Sequence, residues 1–129
     1  HTLIGRCDHQ VYLAGGSLRA DIAASVGPEA HQLVSEFRAD LAILSVGSVD
    51  AIDGIKDFDV DEARIARTMI ERSNKVIVAA DAAKYTAKAP VCICGFDAVD
   101  VFVTDAAPPD VLAERLRAAK SEIRVAAVG

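Results

Sequence analysis

Apolar runs of four to six residues recur along the chain, and between them apolar residues are spaced three and four apart. Val11 to Ala14, Leu41 to Val46, Val76 to Ala80, Val99 to Thr104 and Ile123 to Val128 are the runs, and each reads as a strand. Val76 to Ala80 is uninterrupted by any polar residue and predicts a strand buried on both faces. In the first intervening stretch, Ala30, Leu33, Val34 and Phe37 form one helical stripe behind Pro28 and Glu29, which suit a first turn. His31 falls outside that stripe and reads as a surface residue. In the second, Ile65, Ala66, Met69 and Ile70 form the stripe, with Asp59 and Glu62 spaced as N-cap and third helical residue. In the third, Leu112, Leu116 and Ala119 follow Pro108 and Pro109.

Strand and helix therefore alternate, apart from an irregular piece with Pro90, Cys92, Cys94 and Gly95 that has room for an edge strand. Such alternation predicts an α/β fold: an open, mostly parallel sheet with helices on both faces, its strands joined by right-handed crossovers. Four strand ends then bring Gly15-Gly16, Gly47-Ser48, Asp81 to Lys84 and Thr104-Asp105 to one edge, where open α/β sheets bind ligands.

Composition narrows the partners. The 129 residues carry a net charge of -5, with a pI near 5.1, so no overall field draws the chain to nucleic acid or an anionic membrane. No apolar run reaches the roughly 18 to 20 residues of a membrane span, and the start has no signal-peptide layout. A cytoplasmic protein is the expectation. Cys7, Cys92 and Cys94 make an odd set without a paired C-x-x-C, which favours reduced thiols over a disulfide or zinc site. Cys92 and Cys94 share one face of a strand and are expected to be buried as small hydrophobes. Asp50, Asp53, Asp57, Asp59 and Asp61 lack the spacing of a calcium loop. No cofactor or metal is called for.

At the strand ends, each candidate has two readings. Gly47-Ser48 suits either close approach of backbone N–H groups to a phosphate or an ordinary turn. Arg19 can hold an anion or be solvated. Lys84 can meet a phosphate or finish a turn, Asp81 can accept from a hydroxyl or cap a loop, and Glu62 has its capping-box role. Cations with backbone N–H groups suit a phosphate, and carboxylates suit hydroxyls. A phosphorylated sugar or polyol fits both.

These segments carry a resemblance. Val11 to Arg19 (VYLAGGSLR), Val26 to Ala30 (VGPEA), Leu44 to Asp50 (LSVGSVD) with Gly54, Arg67 to Arg72 (RTMIER), Val78 to Tyr85 (VAADAAKY) and Val99 to Asp105 (VDVFVTD) resemble, in order, the effector-binding domain of DeoR-family bacterial transcriptional repressors. The likeness is nearest the glycerol-3-phosphate repressor branch. It implies a fold similar to ribose-5-phosphate isomerase and CoA transferases, a phosphorylated sugar or polyol as effector, a separate N-terminal winged helix-turn-helix for DNA, and a homo-oligomer. The resemblance places Lys84 and Asp81 in the family's Asp-x-x-Lys segment near the ligand. Glu62 matches its acidic helix-opening position, Gly47, Ser48 and Asp50 its glycine loop, and Arg19 the arginine after its double glycine. Residues 1–129 then make up a partial C-terminal effector-binding domain, because the helix-turn-helix and the sensor's first phosphate loop have no counterpart. The chain starts without Met and inside a helix, and is read as a fragment with an uncovered sheet edge. The alternative is a phosphosugar isomerase-like enzyme, with Asp81 or Glu62 as proton-transfer base and Lys84 stabilising an enediolate.

Overall fold

The structure, a computed structural model, describes residues 10–21 and 24–126. β1 (Ser17–Arg19) and β2 (Ala24–Val26) form an antiparallel hairpin that leads into α1 (Pro28–Glu36). β3 (Ala39–Ser45), the hairpin of β4 (Ser48–Asp50) and β5 (Gly54–Asp57), α2 (Val60–Glu71) and β6 (Ser73–Ala79) follow. A 3-10 turn (Ala82–Tyr85), β7 (Val91–Cys94), a second such turn (Phe96–Ala98), β8 (Val101–Thr104), α3 (Asp110–Ala118) and β9 (Glu122–Val125) complete the order. β3, β6, β8 and β9 make a parallel four-stranded sheet in that spatial order. β4, β5 and β7 make a separate antiparallel sheet.

Local chemistry sets the element boundaries. Gly27, at φ 102, supplies a backbone angle that other residues rarely adopt, and Pro28 then opens α1 with its φ already fixed. Asp59 caps α2, its side chain accepting from the amides of Asp61 and Glu62. α2 closes at Arg72, and β6 starts at the next residue.

In the parallel sheet, Leu44, Val78, Phe102 and Ile123 are register neighbours on one face. That face carries the core: Leu44, Val46, Val76, Val78 and Phe102 pack with Ala63 and Ala66 of α2 and with Leu112 and Leu116 of α3. Both helices therefore cover the same side. The physical reason is the strand order, which advances without reversal, so crossovers of one hand place their helices on one face. On the opposite face, Leu41 is 42% and Ile43 62% exposed, and Ala79 is also exposed. The expectation that Val76 to Ala80 is buried on both faces is thus corrected: burial alternates along the strand, with Val76 and Val78 covered.

Three further readings are revised. Val11 to Ala14 forms no strand; Val11 and Leu13 are exposed, and Tyr12 stacks on Phe37 at 5.1 Å between ring centroids. Pairing starts only after Gly16, whose φ is 106 and where a Cβ would lie 2.6 Å from the Val26 carbonyl oxygen. Cys92 is exposed and Cys94 half-buried, because Ile93 between them takes the inward position of β7. Both thiols are free, and burial pushes Cys94 up to about 11. His31 is not a solvated surface group: its Nε2 lies 2.8 Å from Thr68 Oγ1, which ties α1 to α2. Cys7 and the end of the expected last strand, residues 127–128, lie outside the described residues.

Candidate functional site

A cleft of ≈ 530 Å³ opens at the carboxyl end of β3, lined on the sheet side by Ser45, Val46 and Gly47. Its other walls come from elements that meet there: Asp57, Phe58, Asp59 and Glu62 at the entrance to α2, Lys84 on the 3-10 turn after β6, and Arg19, Asp21 and Ala24 of the first hairpin. A second cleft of ≈ 470 Å³ lies beside Gly27, Pro28, His31, Asp61, Arg64 and Ile65. It is away from the strand ends and gathers fewer charged groups, so the first is the candidate site.

Each side chain reaches the cleft for a local reason. Lys84 sits on a turn pinned at several points. Asp81 Oδ1 accepts from the Ala83 amide at 2.9 Å, Asp105 Oδ1 accepts from the Ala82 amide at 2.8 Å, and the Tyr85 hydroxyl hydrogen-bonds Thr104 Oγ1. Tyr85 also packs on Phe102, with centroids 6.4 Å apart. Among the described residues Lys84 makes no ion pair.

Arg19 is differently placed. Its Nε and Nη2 donate to the two oxygens of Asp21 at 3.2 and 2.6 Å, and its Nη1 donates to Asp59 Oδ2. Asp21 and then Asp59 hold the guanidinium even more firmly charged than usual. Asp59 uses its other oxygen, Oδ1, to accept from the amides of Asp61 at 2.8 Å and Glu62 at 3.1 Å. Those amide bonds, that of Glu62 foremost, and the nearby Arg19 charge hold its carboxyl below the ordinary carboxylate range.

Glu62 departs from the capping box that its spacing suggests. Asp59 caps the helix, but no reciprocal hydrogen bond from the Asp59 amide to the Glu62 carboxylate forms among the described residues. The half-buried Glu62 instead faces the cleft. Burial, followed by the charges of Asp57 and Asp59, pushes its carboxyl above the ordinary range. Gly47 lets the Asp57–Phe58 wall of the cleft approach the end of β3: a Cβ there would lie 2.9 Å from the Phe58 ring and 3.0 Å from Asp57 Cα.

Of the residues singled out in the sequence, the structure brings Arg19, Gly47, Glu62 and Lys84 together. Ser48, Asp50 and Asp81 do not line the cleft. Ser48 is buried and its Oγ accepts from the Ala89 amide at 3.2 Å. Asp50 folds the β4–β5 turn by accepting from the amides of Ile52 at 2.8 Å and Asp53 at 3.0 Å. Those bonds, that of Asp53 first, depress its carboxyl. Asp81 shapes the turn that carries Lys84. Asp57 and Asp21 line the cleft without having been picked out as ligand groups, although an Asp-Phe-Asp step directly before a capped helix was a readable signal. No group of three or more His, Cys, Asp or Glu side chains among the described residues is arranged to hold a metal.

The cleft thus presents two cations, Arg19 and Lys84, and four carboxylates, Asp21, Asp57, Asp59 and Glu62. Arg19 is neutralised within its own ion pairs, whereas the side chains of Lys84 and Glu62 make no ion pair among the described residues.

The sequence model of the DeoR C terminal sensor domain matches residues 1–106. The HTH-type transcriptional repressor CsqR of Escherichia coli is 35% identical over 123 residues, which is 95% of this chain and 47% of that protein. The glycerol-3-phosphate regulon repressor of the same species is 34% identical over 109 residues, or 84% of this chain and 43% of that protein. The HTH-type transcriptional regulator GlpR of Haloferax volcanii is 34% identical over 98 residues, covering 76% of this chain and 38% of that protein. The chain spans less than half the length of each of these relatives.

Proposed function

Because the chain belongs to the DeoR family of C-terminal sensor domains, we propose that it is the ligand-sensing part of a cytoplasmic transcriptional repressor whose effector is a phosphorylated sugar or polyol. The observation that carries this reading is the cleft at the end of β3, where Lys84 and Glu62 face a common space without a partner of their own among the described residues. Lys84 holds the phosphate, and Glu62 accepts from hydroxyls. Gly47 lets the Asp57–Phe58 wall of the cleft pack against the end of β3, and Asp81 fixes the turn that aims the lysine. Contact with DNA falls to a winged helix-turn-helix elsewhere in the polypeptide, since a net charge of -5 gives this stretch no attraction to phosphate backbones.

Regulation on this reading needs no bond chemistry. A ligand that binds better to the DNA-incompetent arrangement shifts the population toward it, with couplings of about 1 to 3 kcal/mol. The isomerase alternative is set aside, since the relatives at 34 to 35% identity bear the names of repressors and regulators. The functional unit is a homo-oligomer. The exposed apolar face of Leu41 and Ile43 supports that part of the reading, because both faces of a parallel sheet are normally covered.

The test is thermal melting of the full-length gene product with sugar and polyol phosphates, each beside its unphosphorylated parent. At about 100 times its dissociation constant a ligand stabilises by about 2.7 kcal/mol. A rise in melting temperature confined to phosphate esters and lost in Lys84→Ala is the expected result. A folded protein that responds to none of the esters refutes the ligand-sensing reading. For the oligomer, light scattering of wild type and Ile43→Lys is expected to give a smaller mass for the variant; equal masses refute a role for this face.

A further inference from the structure

The residue after the double glycine, Arg19, reads in the sequence as a second anion holder, and its surroundings in the cleft argue for a different task. Its guanidinium spends three of its donors on two carboxylates: Nε and Nη2 on Asp21, and Nη1 on Asp59. A phosphate arriving there meets one positive charge flanked by two negative ones, whereas at Lys84 it meets a cation with no carboxylate partner among the described residues. Asp59 in turn works with both oxygens, one holding Arg19 and the other the first amides of α2. The side chain of Glu62 stands on that same first turn and faces the cleft.

Resting on the ligand-sensing reading above, we propose that Arg19 is a positioning residue rather than a phosphate ligand: it clamps the β1–β2 hairpin to Asp59 and so fixes the first turn of α2, which sets Glu62 for reading hydroxyls. Phosphate recognition falls to Lys84, and recognition of the polyol part depends on Arg19. The two parts of the ligand are then separable by mutation.

The experiment titrates the full-length gene product by calorimetry with two probes, inorganic phosphate and whichever phosphate ester stabilises the wild type most. Arg19→Gln is expected to leave the inorganic phosphate affinity within about twofold of wild type and to weaken the ester by about 10- to 100-fold, the worth of a hydrogen bond to a charged group. Arg19→Lys, which keeps a point charge without the fork, is expected to fall between the two. Lys84→Ala loses both probes. A role confined to folding stability moves the unliganded melting temperature but not the ratio of the two affinities. The proposal is overturned if inorganic phosphate weakens in step with the ester in Arg19→Gln, or if the ester binds that variant as it binds wild type. Should Arg19→Gln not fold, Arg19→Lys decides by the same ratio. A wild-type protein that binds no ester fails the underlying reading, a result distinct from these.

Discussion

Replacing Asp59 separates two tasks that its carboxylate performs at once. Oδ1 accepts from the amides of Asp61 and Glu62, and Oδ2 accepts from Arg19. Asp59→Ala removes both and leaves two amides at the start of α2 without their acceptor. Loss of an N-cap costs about 1 to 2 kcal/mol. Asp59→Asn keeps a side-chain oxygen in the capping position, and Asn caps about as well as Asp, so its cost should stay under about 0.5 kcal/mol. The charge lost toward Arg19 adds little, since the pair is still partly solvated and screened by water. For a domain of this size 1 kcal/mol moves the midpoint by about 3 to 6 °C. Asp59→Ala should therefore melt about 3 to 12 °C lower at pH 7, and Asp59→Asn within about 3 °C of wild type. Urea unfolding provides the assay, and an unchanged slope shows that the folded state, not the denatured ensemble, has been altered. The pH dependence follows in sign. The folded Asp59 carboxyl lies below its unfolded value, so its contribution is present above roughly pH 4 and is lost as pH falls through the folded value. The gap between wild type and Asp59→Ala should narrow over that acid range. If Asp59→Asn costs as much as Asp59→Ala, the capping oxygen is not what stabilises the helix start, and the reasoning is wrong; the pair with Arg19 orients that turn while adding little to its stability.

Gly47→Ala is expected to destabilise by about 1 to 3 kcal/mol and to abolish ligand-induced stabilisation, because its Cβ meets the Phe58 ring at 2.9 Å and Asp57 Cα at 3.0 Å. Unchanged urea stability would refute that. Glu62 has a raised folded carboxyl, so its ionised form is penalised and wild-type stability falls as pH rises from the ordinary carboxylate value toward the raised one. Glu62→Gln should therefore raise the melting temperature at pH 7, and a lower one would show that the acid supports α2 more than burial disfavours it. Leu44 and Ile43 are chain neighbours on opposite faces of β3, 4% and 62% exposed. At concentrations where the protomer stands alone, Leu44→Ala should cost about 2 to 5 kcal/mol and Ile43→Ala about 0.5 kcal/mol or less; equal costs in urea unfolding under those conditions would refute the assignment of the two faces.

The glutamate prediction has a counterpart in function. A half-buried carboxylate beside other carboxylates costs stability in the empty protein, and on the proposed reading a hydroxyl donor from a ligand relieves part of that cost. Stability and recognition therefore draw on the same side chain in opposite directions.

The alternation of runs and stripes by itself determined the α/β class, the three main helices and the parallel strands, because period 2 and period 3.6 are properties of local sequence. Pro28 and Asp59 marked helix starts for equally local reasons. The ordered motifs also determined the family, which the sequence model over residues 1–106 matches. What tertiary structure decided was which residues meet and which faces are covered. An apolar run such as Val76 to Ala80 says that a strand is hydrophobic, but the order of strands in the sheet sets whether both its faces find a helix. Spacing made Asp59 and Glu62 a capping box, yet the fold left Glu62 facing a cleft whose other walls lie far away in the chain. Arg19 and Asp59 are forty residues apart, and only folding tells a guanidinium whether its charge is free or already taken. Local pattern fixes the elements, and charge pairing and burial between distant elements fix what each side chain is left free to do.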